Sequence, residues 1–154
     1  MSDTPQDDVM IVDDTPANLS VLSSILNEAG YRNRPVISGQ MALRAIERRP
    51  PAVILLDVRM PEMDGYTVCR ALKAEAATRD IPVLFISAAD DPEDRLAAFR
   101  AGGVDYLVKP FQAEEVVARV ATHLTLGRQR REIESLRQQL LALQADGGPA
   151  PAQR

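Results

Sequence analysis

The chain of 154 residues has one cysteine, no tryptophan and no long apolar run. The single Cys69 excludes an internal disulfide framework, and no run approaches the roughly 20 apolar residues of a membrane-spanning helix. A net charge of -4 gives no general attraction to phosphate backbones, and no zinc-ligand spacing accompanies the arginines. The polar, acidic start MSDTPQD is unlike a secretory signal. These absences predict a cytoplasmic protein with no membrane contact and no direct nucleic-acid binding.

The length and a hydrophobic content of 45% are enough for one substantial core but not for two. Five short apolar runs alternate with amphipathic stretches, which is typical of strand–helix units around a parallel sheet. Four runs are almost wholly apolar, as strands covered on both faces should be, whereas the second contains Pro35 and is expected at the sheet edge. The predicted strands are residues 9–12, 34–37, 52–56, 83–87 and 105–108.

Capping residues mark the helices between these strands. Thr15 followed by Pro16 predicts the start of the first helix, and Gly30 predicts its end. The next three helices are predicted to begin after polar caps, and the fifth near an alanine, at Ser38, Asp64, Asp91 and Ala113 respectively.

Right-handed crossovers over such a chain give an α/β fold of the doubly wound, flavodoxin-like (βα)5 type, a three-layer sandwich. With the second strand at an edge, the predicted parallel sheet has the order 2-1-3-4-5. Ligands of such sheets bind beyond the carboxyl ends of the strands, near the switch point between the first and third strands.

Polar residues follow four of the predicted strands at these carboxyl ends. Asp13 and Asp14 end the first strand, Asp57 the third, Ser87 the fourth and Lys109 the fifth. Three carboxylates held together repel one another, so a divalent cation with a preference for hard oxygen ligands, such as Mg²⁺, would stabilise them. The sequence therefore predicts a site for a metal ion and a phosphoryl group.

Four segments carry a resemblance to a known family: VDDTPAN at 12–18, LLDVRMPEMDG at 55–65, ISAAD at 86–90 and YLVKPF at 106–111. Together they resemble the receiver domain of two-component response regulators, in the order that the fold requires and over roughly residues 8–126. The resemblance implies a signalling switch activated by phosphorylation. In such a switch Asp57 accepts a phosphoryl group from a phosphohistidine on a histidine kinase or phosphotransfer protein.

The resemblance also implies the roles of the surrounding residues. Asp14, Asp57, the backbone carbonyl of Arg59 and, mainly through metal-bound water, Asp13 would hold Mg²⁺, with Mn²⁺ able to substitute. Lys109 and the Ser87 hydroxyl would contact phosphoryl oxygens.

Further roles implied by the resemblance concern conformational change. Tyr106 would move inward when the Ser87 hydroxyl shifts, which would remodel the face formed by helix 4, strand 5 and helix 5. Pro110 would follow a cis peptide bond, and Arg59 would influence hydrolysis of the acyl phosphate. Apart from taking up and losing its own phosphoryl group, the chain is expected not to be an enzyme. His123 is expected at the surface.

The fifth helix is predicted to continue into a coiled coil over residues 127–144. An isoleucine at position a and a leucine at position d favour a parallel homodimer, in which Glu132 at position g reaches Arg137 at position e of the second copy. Gly127 and Gln129 interrupt the start of the repeat, and an amphipathic helix folded back on the domain is the alternative. The predicted seam consists of Ile133, Leu136, Leu140 and Leu143.

The domain boundaries follow from these assignments. Residues 1–7 are predicted to be a disordered tail, 8–126 the receiver domain, 127–144 the coil, and the Gly- and Pro-rich 145–154 a flexible linker or tail. Because the coil leads into a linker, we expect a receiver–coil module from a longer protein whose effector domain is missing from this sequence; a short regulator that acts only through contacts is the alternative. By analogy, it would be a nucleotide cyclase, a cyclic-dinucleotide enzyme or a histidine kinase.

Two other functions remain open on the sequence alone. The chain could be a constitutive dimerisation module in which phosphorylation has no effect. It could also be an Mg²⁺-dependent phosphohydrolase with an aspartate nucleophile, although a haloacid dehalogenase-type enzyme would need an Asp-x-Asp pattern on its first strand. Here that strand ends in the adjacent pair Asp13 and Asp14.

Overall fold

The computed structural model describes residues 8–88 and 92–147, with no side-chain description for 146 and 147. The predicted tail 1–7, the predicted cap Asp91 and linker residues 148–154 lie outside the described residues. The chain divides into two compact units, 1–124 and 125–154. No helix in the described ranges has the length and apolar content needed to cross a bilayer.

The first unit contains a five-stranded sheet of the predicted α/β fold, with every pairing parallel and with the predicted order β2-β1-β3-β4-β5. Three strands have the predicted bounds, and β2 and β3 are shifted by one residue. Pro35 lies on the edge strand β2, as expected for a residue without a backbone donor. The strands are β1 Val9–Val12, β2 Asn33–Val36, β3 Val53–Asp57, β4 Val83–Ser87 and β5 Asp105–Val108.

Five helices in the described ranges connect and follow the strands. The Ser38 and Asp64 side chains accept the predicted capping bonds from the backbone N–H groups of Met41 and Thr67, whereas Thr15 caps without a side-chain bond. Gly30 ends the first helix with a φ of 87°, in the left-handed region that favours glycine. The helices are α1 Pro16–Glu28, α2 Gly39–Arg48, α3 Gly65–Ala74, α4 Pro92–Arg100 and α5 Ala113–Gly147.

The core has two halves, one on each face of the sheet, because successive strand residues point to opposite faces. On β1, Met10 and Val12 belong to the half beneath α2, α3 and α4. Val9 and Ile11 belong to the half beneath α1 and the first part of α5. This is the predicted three-layer arrangement, and it places the carboxyl ends of the strands at one rim.

The opposite rim carries a charge cluster that sequence reasoning missed. Asp8, which precedes β1, is buried, and its Oδ2 lies 2.8 Å from Arg34 Nε and 3.6 Å from Arg49 Nη2. Arg34 also donates to the Arg49 carbonyl at 2.8 Å. The cluster joins the start of β1 to β2 and to the residue after α2.

The described residues of the second unit, from 125 to Gly147, continue helix α5. The helix passes through Gly127 without interruption and ends three residues beyond the predicted coil boundary at 144, so the predicted linker start at 145 is helical. Helix formers on both sides outweigh the roughly 1 kcal/mol cost of one glycine. The predicted seam residues Ile133, Leu136, Leu140 and Leu143 are 53% to 68% exposed.

Candidate functional site

Three carboxylates meet at the carboxyl rim of the sheet. Asp13 and Asp14 follow β1, and Asp57 is the last residue of the neighbouring strand β3. One carboxylate oxygen from each lies within 4.8 Å of the others. Asp13 and Asp57 are buried, and Asp14 is the most exposed of the three. The parallel register of adjacent strands thus brings together residues more than forty positions apart in sequence.

The orientation of Asp13 is fixed by two donors from the start of α1. The Thr15 backbone N–H donates to Asp13 Oδ1 at 2.9 Å, and Asn18 Nδ2 donates to Asp13 Oδ2 at 3.2 Å. Asn18 had no role in the sequence analysis, although it belongs to the VDDTPAN segment. The sequence feature that could have identified Asn18 is a polar side chain one helical turn after the pair Asp13 and Asp14.

Lys109 enters the cluster from the residue after β5. Its Nζ donates to Asp57 Oδ1 at 3.2 Å and lies 3.6 Å from Asp13 Oδ2. The Lys109 backbone N–H donates to the Ser87 carbonyl at 2.9 Å, which ties the start of this loop to the end of β4. The Lys109–Pro110 peptide bond, for which the resemblance implied the cis isomer, is cis.

The carboxyl group of Asp57 is in an environment that disfavours its charged form. Burial is the main cause and repulsion by Asp13 the second, while the Lys109 ammonium acts in the opposite direction. The result is a pKa raised from 3.8 to about 6. One ammonium therefore does not balance the negative charge that the fold gathers here.

The loop after β3 holds the Asp57 backbone through a close approach of α3. The Gly65 N–H donates to the Val58 carbonyl at 2.8 Å. A Cβ added at Gly65 would overlap the Asp57 backbone carbonyl, so only glycine fits without moving the strand end. Gly65 is a second residue to which sequence reasoning gave no role.

The other predicted site residues lie around this centre. Ser87 is buried at the end of β4. The Arg59 side chain is 74% exposed and lies 3.9 Å from Asp94 of α4. The predicted role of the Arg59 backbone carbonyl in metal binding stays a prediction.

Tyr106 is buried, with 3% of its surface exposed, in the core half beneath α4. The Arg95 guanidinium covers its ring at 4.8 Å from the centroid. The described conformation therefore already has the ring inside, whereas the resemblance implied an inward movement on activation. This buried conformation of Tyr106 would be one of the two states of the switch.

His123, which was expected at the surface, is partly buried and has a partner on another element. Its Nε2 lies 3.1 Å from Asp105 Oδ2, and its side chain is 13% exposed. No local pattern predicts this contact, because Asp105 is eighteen residues away on another element.

The donor set fits a divalent cation. Carboxylate oxygens are the hard ligands that Mg²⁺ prefers, and three of them converge with the charge of one lysine against them. Burial is the main cause of the raised pKa of Asp57, and a cation would relieve the repulsion by Asp13 that adds to it. The residues present could therefore hold Mg²⁺ among the three carboxylates.

Comparison with known proteins gives a consistent result. The profile of the response regulator receiver domain matches residues 9–121. Response regulator PleD of Caulobacter vibrioides is 41% identical over 130 residues, which cover 84% of this chain and 28% of that protein. A probable cyclic di-GMP phosphodiesterase of Vibrio cholerae is 40% identical over 124 residues, which cover 80% of this chain and 28% of that protein.

A solved structure shows the same similarity. It is the receiver domain of a sensor histidine kinase from Pseudomonas aeruginosa, with a magnesium ion coordinated in its active-site cleft. It matches with a TM-score of 0.72 and 33% identity, covering 77% of this chain and 98% of that one. The chain spans 28% of the length of each of the two curated relatives above.

Proposed function

The chain belongs to the response regulator receiver domain family, whose members are phosphorylation-activated switches of two-component signalling, and we propose that Asp57 is its phosphoacceptor. The observation that carries this proposal is the position of Asp57. It ends β3 within the carboxylate cluster, 3.2 Å from Lys109 Nζ. The donor we propose is a phosphohistidine on a cognate histidine kinase or phosphotransfer protein.

The reaction follows from the chemistry of the site. An Asp57 carboxylate oxygen attacks phosphorus, the new P–O bond forms an acyl phosphate, and the P–N bond to the donor histidine breaks. The Lys109 ammonium, already at hydrogen-bond distance from Asp57, pairs with a phosphoryl oxygen as a point charge. The Ser87 hydroxyl, at the end of the adjacent strand β4, donates to another oxygen.

Mg²⁺, or Mn²⁺ in its place, is the cofactor we propose. The chemistry that it supplies when bound is neutralisation of the charge that develops on the transferring group. Asp13, Asp14, Asp57 and the Arg59 carbonyl would hold it. Thr15 and Asn18 already orient Asp13 for this role through its two oxygens. Cys69, a buried free thiol, is compatible with the cytoplasmic setting that we propose.

Phosphorylation of purified protein by a small-molecule phosphodonor such as acetyl phosphate tests the proposal. With Mg²⁺, intact-mass spectrometry should show one added phosphoryl group, and Asp57→Asn should show none. Asp64→Asn is the matched control, because Asp64 lies in the same loop and asparagine also caps helices. Uptake by Asp57→Asn at the wild-type level would contradict the assignment, as would the absence of uptake by the wild type.

The conformational output proposed for the domain is a change in the face formed by α4, β5 and α5. Tyr106 belongs to β5 and its ring lies beneath Arg95 of α4, so this side chain links two of the three elements. The described buried state would be one of two states, and the phosphoryl group would shift the balance between them through the Ser87 hydroxyl.

The proposed readout is a parallel homodimer formed through α5. Four exposed apolar side chains at three-four-three spacing, Ile133, Leu136, Leu140 and Leu143, would form the seam. Glu132 would pair with Arg137 of the second copy. Because the chain spans 28% of two curated relatives, we also propose that the output of a full-length protein comes from an effector domain. A constitutive dimer is the alternative that the same exposed seam supports.

Two neighbouring leucines provide a matched test of the seam. Leu140 lies at position a and Leu141 at position b, and their exposures are 59% and 63%. Leu140→Ala should weaken dimerisation at least about tenfold, whereas Leu141→Ala should change it less than about twofold. Sedimentation equilibrium with and without beryllofluoride, which mimics the phosphoryl group, measures both. Equal effects of the two substitutions would contradict the predicted seam. Equal affinity with and without beryllofluoride would support the constitutive dimer.

A further inference from the structure

One carboxylate in the first unit has three hydrogen-bond partners, which lie on two elements. Asp105, the first residue of β5, accepts at Oδ1 from the Tyr106 backbone N–H at 2.9 Å and from Arg119 Nη1 at 2.7 Å. Its Oδ2 lies 3.1 Å from His123 Nε2. The carboxylate therefore joins the residue that carries the proposed switch to helix α5.

The arrangement is partly sheltered from solvent. The side chains of Asp105 and His123 are 15% and 13% exposed, and Arg119 also lies 3.6 Å from Glu115 one turn earlier in α5. Burial alone would raise the pKa of Asp105, but hydrogen bonds from Tyr106, Arg119 and His123 lower it below its usual value. Asp105 is therefore a carboxylate at neutral pH, and its bonds are charge-assisted.

The two donors on α5 are placed to act on the helix as a whole. Arg119 and His123 are four residues apart, so they lie on one face. The neighbouring face, with Val116, Val120 and Leu124, packs in the core half beneath α1 and α5. The same helix continues without a break to Gly147, and the predicted seam begins ten residues after His123.

We propose that Asp105, Arg119 and His123 form a coupling cluster that transmits the state of Tyr106 to helix α5. This inference rests on the proposed function, because it concerns how phosphorylation of Asp57 reaches the coil. Any shift of the Tyr106 backbone changes the bond that its N–H makes to Asp105. The carboxylate then transfers the change to Arg119 and His123 through its other contacts. The three are positioning residues and make no contact with the phosphoryl group.

Two substitutions test the coupling cluster without touching the carboxylate site. Asp105→Asn keeps the shape and an oxygen for the Tyr106 N–H but removes the charge that binds α5. His123→Gln removes the imidazole contact and leaves Asp105 intact. Thr122→Ala is the matched control, because Thr122 is the exposed neighbour of His123 on the same helix. Arg119→Lys keeps the positive charge and should retain most of the coupling.

Two quantities are measured for each variant: beryllofluoride affinity in the presence of Mg²⁺, by calorimetry, and the dimer dissociation constant with and without beryllofluoride. In the wild type and Thr122→Ala, beryllofluoride should strengthen dimerisation about tenfold. In Asp105→Asn and His123→Gln, beryllofluoride affinity should stay within about twofold of the wild type, while the effect on dimerisation falls below about threefold.

The outcomes separate the two proposals. Wild-type coupling in both Asp105→Asn and His123→Gln would overturn the coupling cluster and leave the phosphoacceptor assignment in place. If the wild type did not bind beryllofluoride, the phosphoacceptor assignment and the coupling cluster would both fall. The same would follow if the Asp57→Asn variant bound beryllofluoride as tightly as the wild type. If beryllofluoride bound at Asp57 but left wild-type dimerisation unchanged, the coupling cluster and the proposed control of dimerisation would both fall, while the phosphoacceptor assignment would stand.

Discussion

Strand β1 has a buried carboxylate at each end, and the surroundings of the two differ in charge. Asp8, before the strand, lies 2.8 Å and 3.6 Å from two guanidinium groups. Asp13, after the strand, lies among two further carboxylates, with one ammonium at 3.6 Å. The first end has its charge compensated within the protein, whereas the second has an excess of negative charge. The excess shows which end can bind a cation, and burial alone does not.

Replacing aspartate with asparagine should lower the stability of the protein at Asp8, on one rim, and raise it at Asp57, on the other. The larger effect is expected at Asp8. Asp8→Asn removes the charge that compensates Arg34 and Arg49, so the free energy of unfolding should fall by about 3 kcal/mol. Urea denaturation monitored by circular dichroism measures the change. A loss below about 1 kcal/mol would mean that the cluster is not a structural ion pair.

Magnesium should stabilise the protein through one rim only. At a hundredfold excess over its dissociation constant, Mg²⁺ should raise the free energy of unfolding by about 2.7 kcal/mol. Asp13→Asn should remove most of this stabilisation, whereas Asp8→Asn should keep it on a destabilised background. Thermal denaturation across a magnesium series provides the measurement. Equal responses of the two variants would disprove the contrast between the ends of β1.

Asp57→Asn should stabilise the metal-free protein at pH 8 by about 2 kcal/mol, because it removes a charge that the fold disfavours. The pKa of Asp57 is raised from 3.8 to about 6. The stability that this group contributes is therefore fully present below about pH 3.8 and is lost as the pH rises through about 6. The difference between Asp57→Asn and the wild type should accordingly vanish near pH 4. Urea denaturation at several pH values without metal checks the sign, and destabilisation at pH 8 would contradict it.

The smallest effect distinguishes the two partners of Asp8. The Arg49 side chain is 55% exposed and 3.6 Å from the carboxylate, whereas Arg34 is closer and more buried. Arg49→Ala should therefore cost about 0.5 kcal/mol, as exposed ion pairs do, and Arg34→Ala several times more. Urea denaturation of the two variants side by side measures the ratio, and the reverse ranking would show that Arg49 holds the charge.

Local patterns in the sequence predicted the sheet well. The runs VMIV, VLFIS and DYLV became strands with the predicted bounds, and Pro35 marked the edge strand. Polar residues at strand ends predicted which side chains would converge, because in a parallel sheet all carboxyl ends meet at one rim. These inferences needed only the period of two and the direction of the strands.

Partners distant in sequence could not be predicted in this way. Asp8 and Arg34, and likewise Asp105 and His123, are on different elements, and no periodicity relates them. The packing of α3 that requires glycine at position 65 is equally invisible without the backbone of Asp57. The end of α5 was predicted three residues early, because alanine and aspartate can continue a helix and helix ends are the least certain part of such predictions.

The edge strand β2 has a consequence for aggregation. An open strand edge can act as a template for a strand from another molecule, and proteins limit this risk with prolines and charged side chains. In β2, Pro35 has no amide hydrogen to offer a further strand, and the charged Arg34 stands beside it. Strand addition at the β2 edge is therefore disfavoured even when copies of this chain are at high local concentration. Their association can stop at a defined number of copies instead of growing into a polymer.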